Sequence, residues 1–239
     1  MFGLNFGATS SSGGGAFSPI DLSPLFWMDA SVGVTESGGA VSAWADQSGN
    51  GNDFSQATGS LQPTYDATGL NGLPTIDFAN DELVSGTLSS SMTNVTVYCV
   101  WKMDTDYNGG SIMGQSTGAN NKRFFWYSPT QSIYLWDGGT SSGIFSVADD
   151  PLVSPEAFVI RSDSSGDGEG RVNNEAFGVE NNVTSLTTSA AAMKIGNRGA
   201  GSARYLQGRI SQLIVYQGEH TDTEVDSVMD YLNGIYSIW

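Results

Sequence analysis

Side chains rich in oxygen crowd into one stretch, Asp46-Gln47-Ser48-Gly49-Asn50-Gly51-Asn52-Asp53, directly after Trp44 and Ala45. Asp46, Ser48, Asn50 and Asp53 alternate around a glycine as in a tight calcium loop, and calcium gathers roughly six to eight such oxygens at about 2.4 Å. The same residue types also bond their own backbone in ordinary turns, so a self-bonded turn stands beside the metal reading. Asp163-x-x-x-Asp167-x-Glu169 is a second oxygen-rich loop with the same two readings.

A different chemistry is offered by Lys122–Tyr127 and Ser132–Trp136, two aromatic-rich strands on either side of Ser128-Pro129-Thr130-Gln131. Sugar rings present apolar C–H faces rimmed with hydroxyls, which suit aromatic planes beside amide groups. Trp126, Tyr127, Tyr134 and Trp136, with Asn120 and Asn121 nearby, are the candidate carbohydrate-binding residues. In the alternative, alternate members of this hairpin fill the core and the others pack against a neighbouring subunit.

Catalytic signals are weak. Cys99 is the only cysteine and lies in the apolar run Val95–Met103, which excludes an intrachain disulfide and a cysteine-based zinc site and suits a small core residue. His220 is the only histidine, at a predicted strand end beside a helix start, with no second histidine to share a metal. A retaining glycosidase needs two carboxyl groups about 5 Å apart, often at alternate positions of one strand. Asp81-Glu82 are adjacent, Asp149-Asp150 precede a proline, and Glu219, Glu224 and Asp226 fall around a predicted helix N-terminus, where acids have a structural role. These patterns predict a chain that is not an enzyme.

The elements that position these residues are short strands. The 239 residues are rich in glycine (31) and only 14% charged, which favours one all-β domain over a helical bundle. Leu25–Ala30 is a strand candidate, Gly38-Gly39 a hairpin turn and Val41–Trp44 the returning strand. Leu70–Pro74 is a turn, with strands before it and at Thr75–Phe78. Residues 94–103 alternate, placing Val95, Val97, Cys99, Trp101 and Met103 on one clearly apolar side. Further strands are predicted over 143–148, 157–161, 170–173, 193–196 and 209–217. Only the C-terminus is helical: Thr221-x-x-Glu224 fits a capping box, and Val225, Val228, Met229, Leu232, Ile235 and Tyr236 recur at helical spacing up to a predicted end near Gly234.

The series LFWMDAS, VSAWADQSGNGNDFSQ and PTYDATGLNGLPTIDFANDEL, followed by NVTVYCVWKM, MKIGNR and GRISQLIVYQGEHTDTEVDSVMDYL, resembles the laminin-G-like, concanavalin A-like lectin domains of bacterial secreted proteins and bacteriophage virion proteins. The resemblance covers nearly everything after residue 24. It implies a two-sheet jelly-roll sandwich with a short C-terminal helix. It specifies fold far better than function, because binding modules, spacers and enzymes share this sandwich.

Residues 1–19 form a predicted flexible arm and Gly/Ser linker, and residues 20–239 the sandwich domain. The arm carries an apolar tip, Met1, Phe2, Leu4 and Phe6, ahead of a Ser- and Gly-rich spacer. Met1-Phe-Gly-Leu-Asn-Phe lacks the charged and apolar regions of a signal peptide, and no apolar run approaches the roughly 20 residues that span a bilayer. A formal net charge of −16 opposes nucleic acid and anionic membranes. With the resemblance, these features imply a phage virion surface protein, a capsid decoration, fibre or tail component made in the host cytoplasm. Its arm would dock on capsid or tail proteins, and the chain would form a homo-oligomer. The alternatives are an adhesion module that recognises host surface glycans and, more weakly, a polysaccharide-degrading enzyme. Calcium is the only cofactor in view.

Overall fold

In the computed structural model, residues 16–88, 94–105, 110–117, 120–128, 132–136, 141–146, 151–162, 168–175, 178–180, 191–197 and 204–239 are described, with the backbone alone at 116–117, 120–128, 132–136, 141–146 and 178–180. The chain runs through β1 (Phe26–Asp29), β2 (Val34–Ser37), β3 (Ala40–Trp44), β4 (Phe54–Ser55), β5 (Thr64–Leu70), β6 (Leu73–Ala79) and β7 (Leu83–Thr87). It continues through β8 (Val95–Met103), β9 (Ser111–Thr117), β10 (Asn120–Ser128), β11 (Ser132–Trp136), β12 (Ser141–Ser146) and β13 (Glu156–Ser162). The last elements are β14 (Gly168–Val172), β15 (Gly178–Glu180), β16 (Ala192–Ile195), β17 (Gln207–Gln217) and the helix α1 (Asp222–Tyr236).

All the pairings are antiparallel, and they make a two-layer, lectin-like jelly-roll sandwich with one C-terminal helix. One layer runs β5–β6–β17–β8–β13–β14–β15, with β1 also on β17. The other runs β2–β3–β4–β7–β16–β9–β10–β11–β12. Alternation along each strand sends one set of side chains between the layers. That core joins Phe26, Met28, Ile76, Phe78, Phe158 and Leu213 of the first layer to Trp44, Phe54, Leu83, Met113, Met193 and Ile195 of the second.

β8 shows how the sequence selects its place. Its odd positions, Val95 to Met103, enter the core between the layers. Its other face is buried too, because Tyr98 and Val100 pack with Val159, Ile214 and Tyr216 beneath Val225, Val228, Met229 and Leu232 of α1. A strand apolar on both faces suits the middle of a sheet covered on both sides, and β8 lies between β13 and β17. Cys99 is fully buried there, and desolvation pushes its thiol pKa well up, so it is a protonated core residue.

The hairpins form where glycine or asparagine supplies a positive φ. Asn71 (φ 49°) and Gly72 (φ 81°) turn β5 into β6, and Gly38 (φ 61°) and Gly39 (φ 88°) turn β2 into β3. The strand that β3 returns from is Val34–Ser37 and not Leu25–Ala30. β1 pairs instead with β17, Phe26 opposite Val215. The physical reason is burial: β1 carries the core residues Phe26 and Met28, whereas the edge strand β2 is mostly exposed and gives little apolar signal.

At the helix start, Thr221 N donates to Glu224 Oε2 (2.8 Å) and Glu224 N to Thr221 Oγ1 (3.4 Å), the reciprocal box that the spacing predicts. The backbone N–H of Thr221 is the largest influence holding the Glu224 carboxyl below its usual range, joined by the Thr221 hydroxyl. Two predicted details differ. Gly234 lies within the helix, which runs to Tyr236 and ends at Ser237 (φ 51°), where the Asn233 side chain accepts from the N–H groups of Ile238 and Trp239. Ile235 is 39% exposed, one position off the buried stripe.

Candidate functional site

The Trp44–Asp53 stretch is a clasp. Trp44 is fully buried and donates from Nε1 to the Asp29 carbonyl at 2.9 Å. Beyond it, Asp46 Oδ1 accepts from Trp27 N and Ser48 N, both at 2.9 Å, and Oδ2 accepts from Ser48 Oγ (2.7 Å) and Asn52 N (3.0 Å). Asp53 Oδ1 accepts from Asp46 N at 2.8 Å. Asn50 and Asn52 donate to the Leu25 carbonyl, and Asn50 also to that of Pro24. The four proposed metal ligands, Asp46, Ser48, Asn50 and Asp53, thus fasten the entrance of β1 to the β3–β4 loop. A cation would have to compete with four donors for Asp46 alone. Among the described residues, no three His, Cys, Asp or Glu side chains gather as a cation-holding group. In the second oxygen-rich loop, Asp163 and Asp167 lie outside the described residues, and Glu169 accepts from Arg161 Nε at 3.0 Å.

The six carbohydrate candidates all lie on β10 and β11, and strand register sorts them. The β9–β10 ladder sets Phe124 opposite the core residue Met113, and Arg123 opposite Gly114. Asn121 and Arg123 therefore occupy positions of the face turned away from the core, whereas Asn120 and Trp126 occupy core-face positions on that ladder. On β11, Trp136 stands opposite Arg123 and so belongs to the outward face, whereas Tyr134, across the bulge, stands opposite Trp126. A bulge between Phe124 and Trp126 separates the two ladders at Tyr127, which pairs with Ile133. The side chains of these six residues lie outside the described residues.

Two residues that sequence reasoning missed extend this outward face. On β16, Lys194 stands opposite Gly114 on one side and Val84 on the other. Lys194 Nζ lies 2.7 Å from Glu82 Oε1, and Asn197 Nδ2 donates to Glu82 Oε2 at 2.6 Å. A row of residues thus crosses the layer from Val84 through Lys194, Gly114, Arg123 and Trp136 to Ser141. Nothing local in the sequence links these positions; only the pairing does.

Carboxylates also assemble on the helix-bearing layer. Arg209 of β17 lies 2.8 Å from Asp104, 3.6 Å from Asp77 of β6 and 3.9 Å from Asp66 of β5. Burial, the leading cause, raises the Asp77 carboxyl pKa, opposed by the Thr75 hydroxyl bond and then by Arg209. A search for alternate acids along one strand misses this cluster, because its members come from different strands.

His220 is a structural junction. Its Nδ1 lies 2.8 Å from Tyr98 Oη, its N–H donates to Thr96 Oγ1 at 2.9 Å, and its carbonyl accepts from Arg161 Nη1 at 2.7 Å. Burial drives its pKa down from 6.5 to about 4; Arg161 adds to the fall and Glu224 opposes it. Met1, Phe2, Leu4 and Phe6 lie outside the described residues. Among the described residues, Phe17 packs edge-on to Tyr231 at 6.2 Å.

No family model and no curated protein matches this sequence. Solved structures do match its fold. A GH54 α-L-arabinofuranosidase soaked with a cyclic sulfate inhibitor aligns with a TM-score of 0.61 at 14% identity, over 90% of this chain and 64% of the other. The binding domain of botulinum neurotoxin DC in complex with SialylT gives 0.61 at 10% identity, over 90% and 52%. Domain 4 of AbnA, a GH43 extracellular arabinanase from Geobacillus stearothermophilus in complex with arabinotriose, gives 0.57 at 14% identity, over 77% and 91%. The chain thus spans about half to two thirds of the length of the first two. The shared fold is a lectin-like β-sandwich. One expectation is corrected here: the prediction that the chain is not an enzyme is overturned by the arabinofuranosidase and arabinanase structures among the matches. Acids can converge from several strands as well as from alternate positions of one.

Proposed function

We propose that this chain is a glycan-binding module whose ligand lies on the outward face of the β9–β10–β11 sheet. The observation that carries this reading is the register that puts Asn121 and Trp136 on one face, away from the core. Aromatic planes beside an amide suit a sugar ring and its hydroxyls. The fold agrees, since the matching structures include an arabinanase domain in complex with arabinotriose and a toxin binding domain in complex with SialylT. Binding of the full chain to immobilised glycans tests it: Trp136→Ala and Asn121→Ala are expected to lower affinity at least tenfold. Full retention of binding by both variants would sink it.

A second reading is glycoside hydrolysis at the Arg209 cluster, favoured by the raised pKa of Asp77 beside Asp104 and Asp66. Asp77 would be the proton donor and a neighbouring carboxylate its partner. Release of reducing ends from polysaccharide, abolished by Asp77→Asn, is the test. Display on a phage particle, with Met1, Phe2, Leu4 and Phe6 docking the module to capsid or tail proteins as a homo-oligomer, rests on the N-terminal sequence and the family resemblance. Deleting residues 1–16 should release the protein from particles, and unaltered incorporation would remove this part of the proposal.

A further inference from the structure

We propose that an open groove beside helix α1 is the seat of the chain's own apolar tip, with Phe2, Leu4 and Phe6 laid along it in the same molecule. The proposal goes beyond the glycan reading and concerns the helix-bearing layer, not β10 and β11.

The groove is apolar and open to solvent. Ser227, Tyr231 and Ile235 follow one another at every fourth residue of α1 and form one wall, with Phe17 across from them. The space between encloses about 580 Å³, within the roughly 300–1,000 Å³ typical of ligand pockets. Gly234 leaves the groove unobstructed, since nothing lies within 4 Å of a Cβ added there. Phe17 stands edge-on to Tyr231 at 6.2 Å, and Trp27 braces the same ring at 6.4 Å. Ile235, one position off the buried stripe and 39% exposed, gains an apolar neighbour if the groove is filled.

Three observations name the occupant. The first is where the chain leads: Ala16, the first described residue, itself lines the groove, so residues 1–15 set out from its rim. The second is reach. Residues 7–15 are a Gly- and Ser-rich spacer of nine residues, for which the root-mean-square span is roughly 15–18 Å. Ser227 to Ile235 covers only about 12 Å of helix, so the tip can turn back along all of it. The third is pattern. Phe2, Leu4 and Phe6 alternate, and in an extended segment they share one edge about 13 Å long, the length of the groove. Residues 1–15 carry no charged side chain, so covering the groove with them buries no ion. A tether this short gives the tip an effective concentration on the order of millimolar, which favours its own groove over that of a second copy. A phage particle would then have to draw the tip out of the groove before docking it.

Chymotrypsin, which cuts after Phe and Leu, tests this on the full chain, with mass spectrometry following cuts after Phe2, Leu4 and Phe6. The full chain should be cut there about fivefold or more slowly than a free peptide of residues 1–15. Ile235→Asp removes an apolar wall and Gly234→Gln fills the open space; each should bring the rate to within about twofold of the peptide's, with folding checked by thermal melting. Protection should not change over a roughly hundredfold range of protein concentration, because the contact is intramolecular. Cutting of the unmodified chain at the peptide's rate, or undiminished protection in both variants, overturns the proposal. Protection that is lost on dilution gives the groove to a second copy's tip and overturns the intramolecular assignment. None of these outcomes bears on glycan binding, which the Trp136→Ala and Asn121→Ala variants test separately.

Discussion

Glu82 and Lys194 meet at 2.7 Å although 112 residues separate them in the chain. Their side chains are only 10% and 24% exposed, so each charge depends on the other for what it has lost in hydration. Glu82→Ala removes the acceptor of both Lys194 and Asn197, and is expected to lower unfolding stability by about 3 kcal/mol in urea titrations. Glu82→Gln keeps an acceptor and should cost clearly less. Equal losses for the two variants would show that packing, and not the ion pair, matters at this position.

His220 gives the protein an acid sensitivity. Its folded pKa, about 4, lies below the ordinary 6.5, so the unfolded chain binds more protons between those values. The stability it contributes is fully present above pH 6.5 and is lost as the pH falls towards 4. The unfolding free energy from urea titrations between pH 7 and pH 4 should fall through this window by an amount on the order of 2 kcal/mol. His220→Gln should flatten that part of the profile, and an unchanged slope would count against the assignment.

Asp46 is expected to matter through hydrogen bonds. Asp46→Ala strips an acceptor from the N–H groups of Trp27, Ser48 and Asn52, and should destabilise by roughly 2–4 kcal/mol. A chelator should leave the melting temperature of the unmodified protein unchanged. A clear fall on chelation would place an ion in the loop, as the calcium reading requires.

Helix α1 offers a pair of opposite effects. Thr221→Ala breaks the capping box and should cost about 1 kcal/mol. Gly234 lies inside the helix with nothing within 4 Å of an added Cβ, so Gly234→Ala should stabilise by about 0.5–1 kcal/mol. Denaturant melts of both variants check the signs.

Much of this architecture is legible in the chain. β8 is visible from its alternation, the β5–β6 hairpin from Asn71-Gly72, and the helix from its capping box, because each signal is local. β2 is not visible, since an exposed edge strand such as Val34–Ser37 carries no apolar period. The partner of β1 is equally hidden, because pairing Phe26 with Val215 is decided by core packing far along the chain. The candidate site divides the same way. Tyr134 and Trp136 stand out by type, but Lys194 and Gly114 join Trp136 only through strand pairing, and the bulge after Phe124 sets Tyr134 opposite Trp126. The Arg209 cluster is illegible for the same reason.

One edge of β17 is shared: β6 takes residues 207–210 and β1 takes 212–215, with the switch at the irregularity beside Ser211, while β8 occupies the other edge. Synthesis on a ribosome therefore leaves β1, β6 and β8 without their common partner until almost the whole chain has emerged. Closure of the first layer is a late event that joins β1 to β17, far apart in sequence, and such long-range pairing folds slowly. A nascent chain stalled before residue 207 should remain open to protease at β1, and one released after residue 217 should close over it.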